Sequence, residues 1–124
     1  MKPRFYLLLY TIFLLTIFIL AYLGLIPNTL NGIPHYDSIG HFVLYGLWGF
    51  FFANAFNQTV TSFNRIKIQK GIFYIVPIAI CEELLQSFSP IREFSYYDMM
   101  WGLLGITIAC LIINKRSYNL QQSQ

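Results

Sequence analysis

The stretch FYLLLYTIFLLTIFILAYLGLI, Phe5 to Ile26, contains no charged residue and governs how the rest of the chain is read. A helix needs about 20 apolar residues to cross the hydrocarbon core of a bilayer, and this run is long enough. Lys2 and Arg4 stand before it, as basic residues stand before a secretion signal. Its core is longer than that of a typical signal, however, and LAYLGL is a poor cleavage site. It reads as a retained transmembrane helix.

The composition agrees. The chain has 124 residues, 56% hydrophobic and 10% charged, with a mean hydropathy of +0.56. A soluble domain carries about a quarter charged residues. Three more apolar runs follow: Ser38 to Phe56, Gly71 to Phe88 with Pro77 inside it, and Ser95 to Ile113. The second and third runs of the chain are short for a span, which implies a thinner local membrane or aromatic anchoring at the interface. The expectation is one all-α membrane domain over residues 1–124. It has four transmembrane helices at about 5–26, 38–56, 71–88 and 95–113, and a polar, frayed tail at 114–124.

Four spans place both termini on one side. Lys2 and Arg4 precede the first helix, Arg65, Lys67 and Lys70 lie between the second and third, and Lys115 and Arg116 follow the fourth. Seven of the eight basic residues therefore share one face, and the remaining one, Arg92, lies on the other. The positive-inside rule makes the seven-residue face cytoplasmic, giving an N-in/C-in protein. The net charge of +3 is thus explained by topology, and no nucleic-acid partner is expected. Cys81 and Cys110 lie in apolar runs at different depths, so they read as two buried thiols with no disulfide.

All five acids, Asp37, Glu82, Glu83, Glu93 and Asp98, fall at or near outer helix ends. Glu83 lies roughly 8 Å below the outer boundary at 1.5 Å per residue. A carboxylate facing lipid at that depth costs about one to a few kcal/mol, so it should face the bundle interior. Asp37 and His41 are four apart and share a helix face, which Tyr45 extends by a turn. Glu83 and Gln86 share another. Glu82 points about 100° away from Glu83 and, with Glu93, reads as a bystander. Gly102 and Gly105 are spaced for close approach of a neighbouring helix.

Two segments then resemble a known family. DSIGHFVLY, Asp37 to Tyr45, resembles the Asp-Lys-x-x-His-Phe-x-x-Tyr segment of VanZ-like bacterial membrane proteins. EELLQSFSPIREFSYYDMMWGLLG, Glu82 to Gly105, resembles their second signature: Glu-x-x-Gln, then Arg, then Asp, then a glycine-containing helix. The matching positions are Asp37, His41, Tyr45, Glu83, Gln86, Arg92 and Asp98. Ser38 stands where the family usually has Lys, and Gly102 where it usually has Asn. The first removes a cation from the outer rim, and the second a hydrogen-bonding group near Asp98. The resemblance implies a bacterial four-helix membrane protein with a link to the cell envelope and to glycopeptide (teicoplanin) resistance. It implies no particular reaction.

The site expected is therefore a polar cluster at the outer face. Asp37 and His41 would be an acid–base pair, Glu83 and Asp98 further catalytic carboxylates, and Tyr45, Gln86 and Arg92 ligand-binding groups, with Arg92 on an anionic headgroup. The partners expected are membrane lipids and a lipid-linked envelope component, with an oligomer needed if the bundle carries ions. No cofactor is expected. His41, Glu83 and Asp98 are donors of the right kind for a metal, but no compact motif such as H-E-x-x-H joins them, so no metal is expected. The alternative is a protein without catalysis, whose cluster stabilises the bundle or binds a ligand, ion or partner.

Overall fold

The computed structural model describes residues 2–26, 34–56, 60–63, 66–69, 71–90 and 93–122. Four helices, α1 (Pro3–Tyr22), α2 (Tyr36–Ala55), α3 (Ile72–Gln86) and α4 (Tyr96–Gln122), account for most of them. A small antiparallel hairpin, β1 (Val60–Phe63) and β2 (Ile66–Gln69), stands between α2 and α3.

Local sequence explains the helix ends. Pro3 opens α1, where its missing N–H is not needed. Gly24 closes it with φ of 70°. The Gly24 N–H then reaches the Ala21 carbonyl at 3.1 Å, and the Leu25 N–H reaches that of Leu20 at 2.9 Å. This is the left-handed glycine cap that satisfies the last carbonyls of a helix. Ser95 caps α4: its hydroxyl accepts from the Asp98 N–H at 3.3 Å.

The helices alternate in direction. At one end Arg4 lies over the Phe56 ring, 5.7 Å from its centroid, joining the start of α1 to the chain leaving α2. Gly71, just before α3, sits so close to Phe52 that a Cβ there would come within 2.6 Å of the ring. At the other end Ser38 of α2 donates to Asp98 of α4. Ser89, in the turn after α3, donates to the Tyr22 carbonyl of α1 at 3.2 Å. All five acids lie at this second end, and Lys2 and Arg4 at the first.

Helices α2 and α4 make the central contact, and glycines permit it. A Cβ on Gly105 would overlap the Phe42 carbonyl oxygen, and one on Gly49 would come within 3.2 Å of the Ile106 Cα. The core around this seam contains Leu14, Tyr45, Trp48, Ile75, Ala79, Ile106 and Cys110. Polar ties hold α1 to α2: the Tyr10 hydroxyl donates to the Leu44 carbonyl at 2.9 Å, and Trp48 Nε1 donates to Thr11 Oγ1 at 3.1 Å.

The surface is apolar and the interior partly polar. Leu8, Phe73, Ile78 and Leu111 are exposed, whereas Ser38, His41, Glu83, Gln86, Ser89 and Asp98 are buried. Glu83 is 1% exposed and Leu8 57%. Apolar exposure on this scale marks a surface made for something other than water.

The four expected helices are present, their spanning is supported for two of them, and three other expectations change. Among the described residues, two helices are long and apolar enough to cross a membrane: α1, with mean hydropathy 2.3, and Tyr96–Lys115 of α4, with 1.6. Helix α3 has 15 residues and reaches only about 22 Å at 1.5 Å per residue. Helix α2 has 20 but carries Asp37, His41 and Asn54. The supposed loop between them contains the hairpin, which suits its β-branched Val60, Thr61, Ile66 and Ile68. The supposed frayed tail is helical to Gln122, because Leu and Gln extend a helix that is already nucleated. Cys81 is exposed while Cys110 is buried, because α3 turns Ile75, Ala79, Glu83 and Gln86 inward instead.

Candidate functional site

The polar cluster is built from three helices at the acidic end. On α2, Ser38, His41 and Tyr45 follow one inward stripe at spacings of three and four, and all are buried. On α3, Glu83 and Gln86 do the same. Asp98 enters from the first turn of α4 and is 8% exposed.

Hydrogen bonds divide the cluster into two parts. The first is a latch between α2 and α4. Ser38 Oγ donates to Asp98 Oδ1 at 2.5 Å. Ser95 completes it in an unusual way. In a common capping box the acidic side chain three residues into the helix returns to the cap residue's N–H. Here Asp98 is engaged by Ser38, and the Ser95 N–H donates instead to Glu83 Oε1 on α3 at 3.0 Å. Glu83 thereby completes the cap of another helix.

The second part lies between α2 and α3. His41 Nδ1 faces Glu83 Oε2 at 3.6 Å. The Tyr45 hydroxyl donates to Glu82 Oε2 at 2.6 Å, and Gln86 Nε2 donates to Glu82 Oε1 at 2.8 Å. One ligand atom from each of His41, Glu82 and Glu83 falls within 4.8 Å of the others. An imidazole beside two oriented carboxylates can accept and return a proton, or hold a cation.

The structure thus brings His41, Tyr45, Glu83 and Gln86 together and sets Asp98 beside them as part of the latch. The carboxylate facing His41 Nδ1 belongs to Glu83 on α3. Asp37, half-buried one turn before His41, lines the cleft next to it. Arg92 lies outside the described residues. Glu82, expected to be a bystander, is a full member. Glu82 and Glu83 differ by about 100° around α3, yet Tyr45 on α2 reaches across to Glu82. The signal was available, since Glu82 and Gln86 are themselves four apart. Ser38 and Gly102 also acquire roles. Ser38 supplies the latch donor. A Cβ on Gly102 would come within 3.0 Å of the Tyr45 ring, so glycine there makes room for that ring.

Two apolar clefts open beside the cluster. One, of about 420 Å³, is lined by Leu15, Ile19 and Leu85 and reaches Glu82. The other, of about 430 Å³, is lined by Ile17, Ile39 and Leu44 and reaches Asp37 and His41. Both are lined in part by Phe18, Ala21 and Gln86, so they flank the same residues where the end of α1 crosses the cluster. No protein-family model matches the chain, and no curated protein or solved structure matches it.

Proposed function

We propose that this chain is a VanZ-like multi-pass protein of the bacterial plasma membrane that binds or acts on a lipid-linked envelope component. In this reading all four helices span the bilayer, N-in/C-in, with α3 in a locally thinned region. The seven basic residues of one face favour that orientation. The observation that carries the ligand class is the pair of apolar clefts that share Gln86, each with a polar end at the cluster. An amphiphile fits such a site: hydrocarbon along the clefts, an oxygen-rich headgroup at His41, Glu82 and Gln86. Polar groups few in number and fixed in direction, at the end of an apolar pocket, are the usual form of a ligand site.

The test uses the full chain in nanodiscs and a polyprenyl phosphate as probe, with native mass spectrometry as the readout. Ala21→Trp puts a bulky ring on the wall that both clefts share. The wild type should retain the lipid and Ala21→Trp should lose it. Equal retention by both, or none by a folded wild type, removes the amphiphile reading. Orientation has a separate check. Ser87, exposed beyond α3, replaced by Cys in a Cys81→Ser background should react with an impermeant thiol reagent from outside the cell. Reaction from the cytoplasm alone refutes N-in/C-in.

A second reading, in which the cluster only locks the bundle, is favoured by one observation, the bond from Ser38 to Asp98. It accounts for Asp98, and the Tyr45 bond gives Glu82 a part in it as well, but it assigns nothing to the two apolar clefts that end at the cluster.

A further inference from the structure

We propose that His41, Glu82 and Glu83 form the binding site of a single divalent transition-metal cation of the zinc or manganese class. The first support is distance. His41 Nδ1 and Glu83 Oε2 are 3.6 Å apart, beyond the range of a good hydrogen bond. Two ligands each about 2.0–2.1 Å from a tetrahedral zinc lie about 3.4 Å from one another. The observed gap is one that two ligands of a single ion can bridge with little movement. Glu82 supplies a third donor beside them, one ligand atom of each residue lying within 4.8 Å of the others, a spread that a small side-chain shift closes to ligand spacing.

The second support is the way the carboxylates are held. Glu82 accepts from Tyr45 and Gln86, and Glu83 accepts from the Ser95 N–H. Each carboxylate oxygen has two lone pairs, so a donor on one side leaves the other available. Donors that orient the ligands in this manner are what a metal site requires around its first ring of atoms. They come from all three helices of the cluster: Tyr45 from α2, Gln86 from α3 and Ser95 at the start of α4.

The third support is the donor set. One imidazole nitrogen and two carboxylate oxygens suit zinc and manganese, and three protein ligands leave coordination positions open. Those positions lie beside the clefts, since Glu82 lines one and His41 the other. A phosphate or water could occupy them. Bringing the cation to an anionic headgroup in this way rests on the amphiphile reading above, whereas the metal site itself does not.

The experiment is a titration of the full chain, purified in detergent and stripped with a chelator, with Zn²⁺ by calorimetry and Mn²⁺ by electron paramagnetic resonance. Cys81 is replaced by Ser to remove an exposed competing thiol. The expected result is one site per chain and a melting temperature that rises with metal concentration. Glu82→Gln and Glu83→Gln retain oxygens that accept from Tyr45 and Ser95, and each should weaken binding by about tenfold or more. His41→Ala should do the same, and Asp98→Asn should not. Absence of binding by the folded parent, or binding unchanged in both glutamine variants, overturns the inference. Polyprenyl phosphate retained by a chain that binds no metal refutes the metal site alone. Metal bound by a chain that retains no lipid upholds it and removes the amphiphile reading.

Discussion

The two contacts between α2 and α4 are made by opposite means. In the middle of the bundle the helices meet through Gly46, Gly49 and Gly105, backbone against backbone, with Ile106 and Ala109 around them. One end carries the Ser38–Asp98 bond, and next to it Glu82 and Glu83 are directed by hydrogen bonds, with His41 facing Glu83. The seam depends on shape and tolerates no added volume. The polar layer depends on direction and tolerates a change of atom if donors and acceptors remain matched. Under the proposed multi-pass reading, lipid contact leaves little gain from burying apolar side chains against each other, so close packing and internal hydrogen bonds carry the cohesion.

Substitutions that strike one region and spare the other probe this contrast. The largest effect is expected at the seam. Gly105→Leu forces the side chain into the Phe42 carbonyl, and overpacking of this kind costs about 1–3 kcal/mol or more. The variant should fail to accumulate in membranes on immunoblots, and normal accumulation would show that the helices do not meet there.

A smaller effect is expected from Tyr45→Phe. It keeps the ring beside Gly102 and removes the donor to Glu82 Oε2. An acceptor left without its donor costs about 1–3 kcal/mol. The melting temperature in detergent should fall while expression persists.

Ser95→Ala removes the α4 cap and should cost about 1 kcal/mol. Its N–H to Glu83 is a backbone group and survives, so metal binding should persist as stability drops. Loss of both together would show that the cap positions Glu83.

The smallest effect is expected from Thr107→Val, on the exposed face of α4. There the hydroxyl only returns to the Leu103 carbonyl at 2.8 Å. Stability should stay within about 0.5 kcal/mol, and a larger loss would reveal a partner on that face.

Much of this contrast is legible in the residues themselves. The spacing of Asp37, His41 and Tyr45 predicts one inward face, and His41 and Tyr45 are both buried on it. Gly105 predicts close approach and is where the backbones touch. Glu82 shows where such reading stops. A helical wheel describes one helix in isolation, and Glu82 joins the site because Tyr45 arrives from α2. Asp98 shows the same from the other side: its position is foreseeable, but its engagement by Ser38 depends on how α2 and α4 are set against each other.

Apolar run length, the gathering of basic residues and the spacing of the polar ones follow from chain order. They therefore predict the helices, the acidic end and the stripe that faces inward. Which carboxylate faces His41, which completes the Ser95 cap and where two clefts meet Gln86 are relations between residues far apart in the chain. Hydrogen bonds and metal ligation act over about 2–3 Å. Only the packing of the helices brings distant residues into that range, and it was packing that divided one apparent cluster into a latch and a site.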